Sequence, residues 1–145
     1  MITIHDATSQ ADILKLLSAC KLPTEDVDLN SQHFWIAELN GQIAGCIGLE
    51  PAGKYGLLRS LAVDSNFRNR GIARMLIDHL IANAQGIVAL YLLTKTVDQY
   101  FLRHDFVREP RDLAPKEIQQ TKQFAMLCPD SSILMKKSLC LCGES

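Results

Sequence analysis

The six residues Arg68-Asn69-Arg70-Gly71-Ile72-Ala73 lie between a strand-like apolar run, Leu57 to Val63, and a helix-like amphipathic run, Ile72 to Ala84. That setting suits an anion. A glycine at a strand-to-helix junction lets the backbone approach a ligand, and a helix start offers unpaired N–H groups whose dipole favours phosphate. Arg68, Arg70 and Arg74 add positive charge to the same turn. A second chemical candidate is Arg59, a cation on an apolar-looking strand face shared with Leu57, Leu61 and Val63. Such a cation must meet an anion or reach solvent. A ligand carboxylate would suit its fork, with Ser60, on the opposite strand face, a weaker companion; an internal salt bridge is the competing reading. Arg108 and Arg111 are weaker candidates of the same kind.

Other residue types capable of chemistry offer less. His5, His33 and His79 read as surface or packing residues, and His104 as a helix-end residue favoured by the dipole. The five cysteines, Cys20, Cys46, Cys128, Cys140 and Cys142, are odd in number and irregular in spacing, which fits reduced thiols better than a disulfide framework. Cys46, in an apolar run, reads as a small core residue. Cys140 and Cys142 form a C-x-C pair that suits a soft metal ion, but two thiols do not close a tetrahedral site, so no metal is assigned.

At 145 residues and 48% apolar, the chain can bury a core without disulfides, and one domain over 1–145 is the expectation, with 139–145 a flexible tail. Fifteen basic residues stand against 16 acidic ones, a net charge of −1, so no overall field draws in nucleic acid or an anionic membrane. A small, local ligand is the expected partner. No apolar run approaches the roughly 20 residues that span a bilayer, and Met-Ile-Thr-Ile-His lacks the features of a signal peptide, which gives a cytoplasmic reading.

Strand-like alternation over Ile2 to His5 precedes a helix with Ile13, Leu14, Leu16 and Leu17, capped by Thr8 or Ser9. Lys21 to Gln32 read as a surface loop. Phe34 to Glu38 and Gln42 to Glu50 are strands joined by Asn40-Gly41, a strong hairpin signal. A turn over Pro51 to Gly56 leads to the alternating strand Leu57 to Val63, then to the helix Ile72 to Ala84, which Gly86 stops. Ile87 to Leu93 reads as a buried strand, and Thr94 or Thr96 caps a helix running to about Arg103. A strand at Phe106-Val107, a short helix after Pro115, an undetermined segment Thr121 to Leu127 and a strand at Ile133 to Lys137 follow.

This order of elements, with the turn, resembles the GNAT superfamily of N-acetyltransferases, whose hallmark is Gln/Arg-x-x-Gly-x-Gly/Ala between the fourth strand and the next helix. Arg68, Gly71 and Ala73 match its defined positions. The resemblance implies an α/β (α+β) fold, a mixed and mostly antiparallel central sheet flanked by helices. It also implies that acetyl-coenzyme A is the cosubstrate. The pyrophosphate would lie on Arg68, Asn69, Arg70, Gly71, Ile72 and Ala73, the pantetheine arm along Leu61, Ala62 and Val63, with Thr94 also contributing. A narrower likeness, carried by Leu57 to Val63, Leu90 to Thr94, Gln123-Phe124, Leu127-Cys128-Pro129 and Ser131-Ser132, is to acetyltransferases associated with arsenic-resistance operons. It implies a small-molecule amine acceptor, a phosphinothricin-like or organoarsenical amino acid, and the family suggests a homodimer.

Acetyl transfer needs a neutral amine, a route for its proton, a polarised thioester carbonyl and a proton for the leaving thiolate. Many relatives supply the last from a tyrosine five residues before the Phe of a Gly-Phe pair; here that position is Phe101, and Asp105 replaces the glycine. Tyr100 is the neighbouring candidate acid, and water the other route. Leu57 stands near the position of the relatives' glutamate, which leaves Glu50, acting through water, as the candidate base. Two further readings remain: an acyl-coenzyme A-binding sensor without turnover, and a metalloid-binding protein using Cys128, Cys140 and Cys142.

Overall fold

The computed structural model describes residues 1–95, 97–127 and 132–139. The readings of Thr96 as a cap, of Cys128, Cys140 and Cys142, and of the tail beyond Leu139 lie outside them. The chain divides into two compact units, 1–50 with 58–85 and 51–57 with 86–145.

In the first unit, β1 (Ile2–Asp6), α1 (Gln10–Ala19), β2 (His33–Leu39), β3 (Gln42–Ala52) and α2 (Ile72–Ala82) follow the expected order. Ser9 caps α1, its hydroxyl accepting from the Asp12 N–H at 3.3 Å. Asn40 and Gly41 both take positive φ, +54° and +78°, as the tight hairpin between β2 and β3 requires. The strands alternate between faces. Phe34, Ile36 and Cys46 join Ile13, Leu16 and Leu17 of α1 in one buried cluster. Trp35 instead meets His79 of α2 edge-on at 5.8 Å, so the helices cover opposite faces. Ile72, Leu76, Ile77 and Leu80 are the buried stripe of α2, each worth about 1.5–3 kcal/mol. The helix ends at Ala82, ahead of Gly86, because the Asn83 side chain takes the His79 carbonyl at 2.8 Å.

Strand β4 (Tyr55–Val63) ends at Val63 as expected but departs from the expected pattern at its start and at Ser60. Pro51 belongs to β3, so the turn before β4 contracts to Gly53-Lys54. Within β4, Ser60 takes φ +57°, a left-handed residue in mid-strand that acts as a bulge. The bulge shifts the alternation by one: Ala62, not Leu61, joins the α1 cluster, and Leu61 and Val63 are half-buried. The face expected to carry Leu57, Arg59, Leu61 and Val63 therefore breaks at Ser60.

In the second unit, β5 (Ala89–Thr94), α3 (Asp98–Leu102), β6 (Val107–Glu109), α4 (Lys116–Gln119) and β7 (Ile133–Ser138) complete a seven-stranded sheet of order β1-β2-β3-β4-β5-β7-β6. Tyr55 to Leu57 pair in parallel with β5, while the β1–β2, β2–β3, β5–β7 and β6–β7 ladders are antiparallel. Leu57, Ala89, Tyr91, Ala114, Ile118 and Leu134 form this unit's core. Gln123–Leu127, undetermined from sequence, is a π-helical turn. The end of α3 explains the missing glycine. Asp105 takes φ +70°, and the Phe106 and Asp105 N–H groups donate to the carbonyls of Phe101 and Leu102. This is a Schellman ending with aspartate in the glycine's place, sealed by the Phe101–Phe106 ring contact at 5.4 Å.

Candidate functional site

The turn after β4 has the geometry its sequence foretells. A 3-10 turn, Ser65–Phe67, leads into Asn69 at φ +65° and Gly71 at φ +75°. Two left-handed residues one position apart make a tight turn of the kind that can aim backbone N–H groups to one side. Gly71 is the N-cap of α2, with no side-chain cap, and no acid stands in the first turn. The first helical bond is from the Met75 N–H to the Gly71 carbonyl, 3.1 Å, so the N–H groups of Ile72, Ala73 and Arg74 have no intrahelical acceptor. A Cβ at Gly71 would meet nothing within 4 Å; the residue is required by its φ, and the space beside it is open.

Arg68, Arg70 and Arg74 are all exposed around this turn. Arg68 Nε donates to the Val63 carbonyl at 3.3 Å, Arg70 lies 5.8 Å over the Phe67 ring, and Arg74 is 3.8 Å from Asp78. Such exposed contacts hold a guanidinium weakly, by less than about 1 kcal/mol, and leave it able to turn to a ligand. Immediately upstream, β3 and β4 approach closely because residue 45 is glycine: a Cβ there would stand 2.8 Å from the Ala62 carbonyl oxygen.

Arg59 is held internally. Its Nη2 donates to Asp26 Oδ1 at 2.6 Å, its Nη1 to Asp26 Oδ2 and, at 3.2 Å, to Glu50 Oε1, and its Nε to Ser60 Oγ at 3.1 Å. Its side chain is 0% exposed. Burial pulls the guanidinium pKa down, but the hydrogen bonds and charges of Asp26 and Glu50 outweigh it and the net displacement is upward. The expected ligand fork is thus occupied by Asp26, and the internal salt bridge is what the structure contains. Ser60, expected on the opposite strand face, instead supports Arg59, because its left-handed backbone turns the hydroxyl toward it. Its carbonyl accepts from the Cys46 thiol at 3.3 Å. Burial pushes that thiol up to about 12, as suits a core residue.

Glu50 keeps its side chain 20% exposed while Gln32 Nε2 donates to the same Oε1 at 3.3 Å. Asp26 and Gln32 are the residues that sequence reasoning missed. The signal was half present: a cation on a buried strand face requires an anion, but nothing in the sequence marked Asp26, 33 positions away, as its source. Tyr100 and Thr94 belong to the second unit. Thr94 Oγ1 accepts from the Val97 N–H at 3.2 Å, and the Tyr100 ring meets those of His104 at 4.5 Å and Phe101 at 5.5 Å. Phe101 is buried, as a packing residue. Arg108 is taken by Asp98, whose carboxyl its hydrogen bond holds below the usual range, and Arg111 lies 4.5 Å over Phe124. His5 and His33 pair with Glu38 and Asp6 at the surface.

Residues 30–108, which contain the hairpin, Arg59, the turn and α2, match the acetyltransferase (GNAT) domain family. The chain is a member of the GNAT family. It is 28% identical over 101 residues to an uncharacterized N-acetyltransferase of Chlorobaculum tepidum, covering 68% of this chain and 64% of the relative. An amino-acid acetyltransferase of Shewanella oneidensis is 28% identical over 100 residues, covering 66% of this chain and 22% of that protein. In fold, this GNAT chain is similar to N-acetylglutamate synthase of Neisseria gonorrhoeae, solved with coenzyme A and N-acetyl-glutamate. The TM-score is 0.78 at 21% identity, over 97% of this chain and 35% of that one. The chain thus spans less than two thirds of each of these proteins.

Proposed function

We propose that this GNAT chain is an acetyl-coenzyme A-dependent N-acetyltransferase acting on the amine of a small molecule. The observation that carries the reading is the uncapped start of α2, with left-handed Asn69 and Gly71 before it and Arg68, Arg70 and Arg74 around it. A pyrophosphate would accept from the N–H groups of this turn, and the exposed arginines would supply countercharge. The bulged strand at Leu61, Ala62 and Val63 would offer main-chain groups to the pantetheine amides, as an added strand does. Thr94 is assigned to the cofactor as well.

In this reading, Glu50 accepts the proton of the attacking amine through a water molecule as nitrogen bonds to the thioester carbon. When the carbon–sulfur bond breaks, Tyr100 or water returns a proton to the thiolate. Loss of the usual acid at Phe101 slows turnover by roughly 10²- to 10⁴-fold without forbidding it. We assign the acceptor to amino-acid-like amines, phosphinothricin-like or organoarsenical ones included. Support comes from the sequence likeness to arsenic-operon acetyltransferases and from relatives named as amino-acid acetyltransferases. A cytoplasmic homodimer belongs to the same proposal; no helix among the described residues is long and apolar enough to cross a membrane.

Thiol release from acetyl-coenzyme A over a panel of amines and amino acids tests the reading. Release with amino-acid-like acceptors is expected; cofactor binding without release from any acceptor would favour the second reading, an acyl-coenzyme A sensor, which the buried, hydroxyl-free Phe101 supports.

A further inference from the structure

The sites assigned so far leave one feature unused: a fully buried arginine that binds two carboxylates, one buried and one reaching solvent. We propose that Arg59, anchored by Asp26, is the positioning residue that holds the Glu50 carboxylate in place for proton acceptance. The inference rests on the reading of Glu50 as the base.

Two carboxylates meet one guanidinium. Asp26, 3% exposed in its side chain, takes the fork with both oxygens, which fixes the guanidinium plane. Glu50 is touched at Oε1 alone, by Arg59 Nη1 at 3.2 Å and Gln32 Nε2 at 3.3 Å. Oε2 receives no hydrogen bond from the described residues. One oxygen is thus anchored while the other is left for a water molecule or an amine proton.

The anchor is itself braced. Gln32 Nε2 also donates to the Asp26 carbonyl at 2.9 Å, and Gln32 Oε1 accepts from the Asp28 N–H at 3.0 Å, so the loop before β2 is tied to the end of β3. His33, next along β2, turns to Asp6 and stacks on Trp35 at 4.2 Å; Cys46 on β3 is a buried thiol; α1 presents Ile13, Leu16 and Leu17. Among the described residues, Arg59 is the cation paired with Glu50, and Asp26 the anion that shares it.

The two partners have separate tasks: Asp26 fixes the guanidinium plane with both oxygens, and Arg59 Nη1 carries the Glu50 carboxylate by one oxygen. Neither residue lies in the turn from Arg68 to Ala73, so displacing either should disturb the placement of Glu50 and not the binding of the cofactor.

The test is acetyl-transfer kinetics of the full chain. Arg59→Lys, which keeps the charge but loses the fork, and the near-isosteric Asp26→Asn, which frees the guanidinium plane, should each lower kcat at least tenfold with KM for acetyl-coenzyme A unchanged. A kcat within twofold of the parent's in a folded Arg59→Lys or Asp26→Asn chain, or a loss carried by KM alone, would overturn the proposal. If Glu50→Gln keeps full kcat, Glu50 is not the base, and the reading on which the proposal rests fails separately.

Discussion

Arg59→Met removes a guanidinium whose side chain is 0% exposed and which makes two hydrogen bonds to Asp26, one to Glu50 and one to Ser60. Methionine replaces much of the aliphatic stem, so the loss is chiefly electrostatic. Removing one partner of a buried pair costs about 3–5 kcal/mol, because the other charge stays buried and unpaired. Against this, Arg74→Ala breaks a pair at 3.8 Å whose side chains are 73% and 65% exposed, and should cost about 0.5 kcal/mol or less. The contrast is an internal control, since both changes delete one arginine.

Urea unfolding followed by fluorescence of Trp35, the chain's single tryptophan and a buried one, reads both. A loss under about 1 kcal/mol for Arg59→Met, or one no larger than that of Arg74→Ala, would refute the reasoning.

Other outcomes follow from single contacts. Asp105→Val should destabilise by about 1–2 kcal/mol in thermal or urea unfolding, since φ +70° is poorly tolerated by a β-branched residue, whereas Asp105→Gly should be neutral or mildly stabilising. Gly45→Ala puts a Cβ 2.8 Å from the Ala62 carbonyl oxygen; it should cost about 1–3 kcal/mol and raise KM for acetyl-coenzyme A by displacing the bulged strand. Cys46, buried and with its thiol pushed up to about 12, should resist iodoacetamide at pH 8 in the native chain and react once it is unfolded, as peptide mass spectrometry would record.

What the sequence disclosed, and what it did not, divides by the range of the forces involved. Asn40-Gly41, the Ser9 cap, the apolar stripe of α2 and the turn from Arg68 to Ala73 are local, and each carries its structural instruction in adjacent residues. The bulge at Ser60 is not local. Serine has no special preference for a left-handed mid-strand position, and strict alternation from Leu57 to Val63 pointed the other way. Asp105 is intermediate: it read as a departure from the family's glycine, and its Schellman geometry shows that aspartate fills the same conformational role. The Asp26–Arg59–Glu50 cluster joins a loop to two strands across 33 positions of sequence, so only the need for a counterion was legible, and its source was not. The π-turn at Gln123–Leu127 has no local signature that distinguishes it from other irregular backbone.

Central to the proposed function is the binding of the coenzyme A pyrophosphate by the turn from Arg68 to Ala73. It is tested by calorimetric titration of the intact chain with coenzyme A and with pantetheine, which lacks the phosphates and the adenosine. Gly71→Glu, which places an acidic side chain beside the uncapped start of α2, serves as the control. Coenzyme A should bind at least about 100-fold more tightly than pantetheine, a difference of roughly 2.7 kcal/mol, and Gly71→Glu should remove most of that advantage. Equal affinity for the two ligands, or undiminished coenzyme A binding by a folded Gly71→Glu chain, would contradict it.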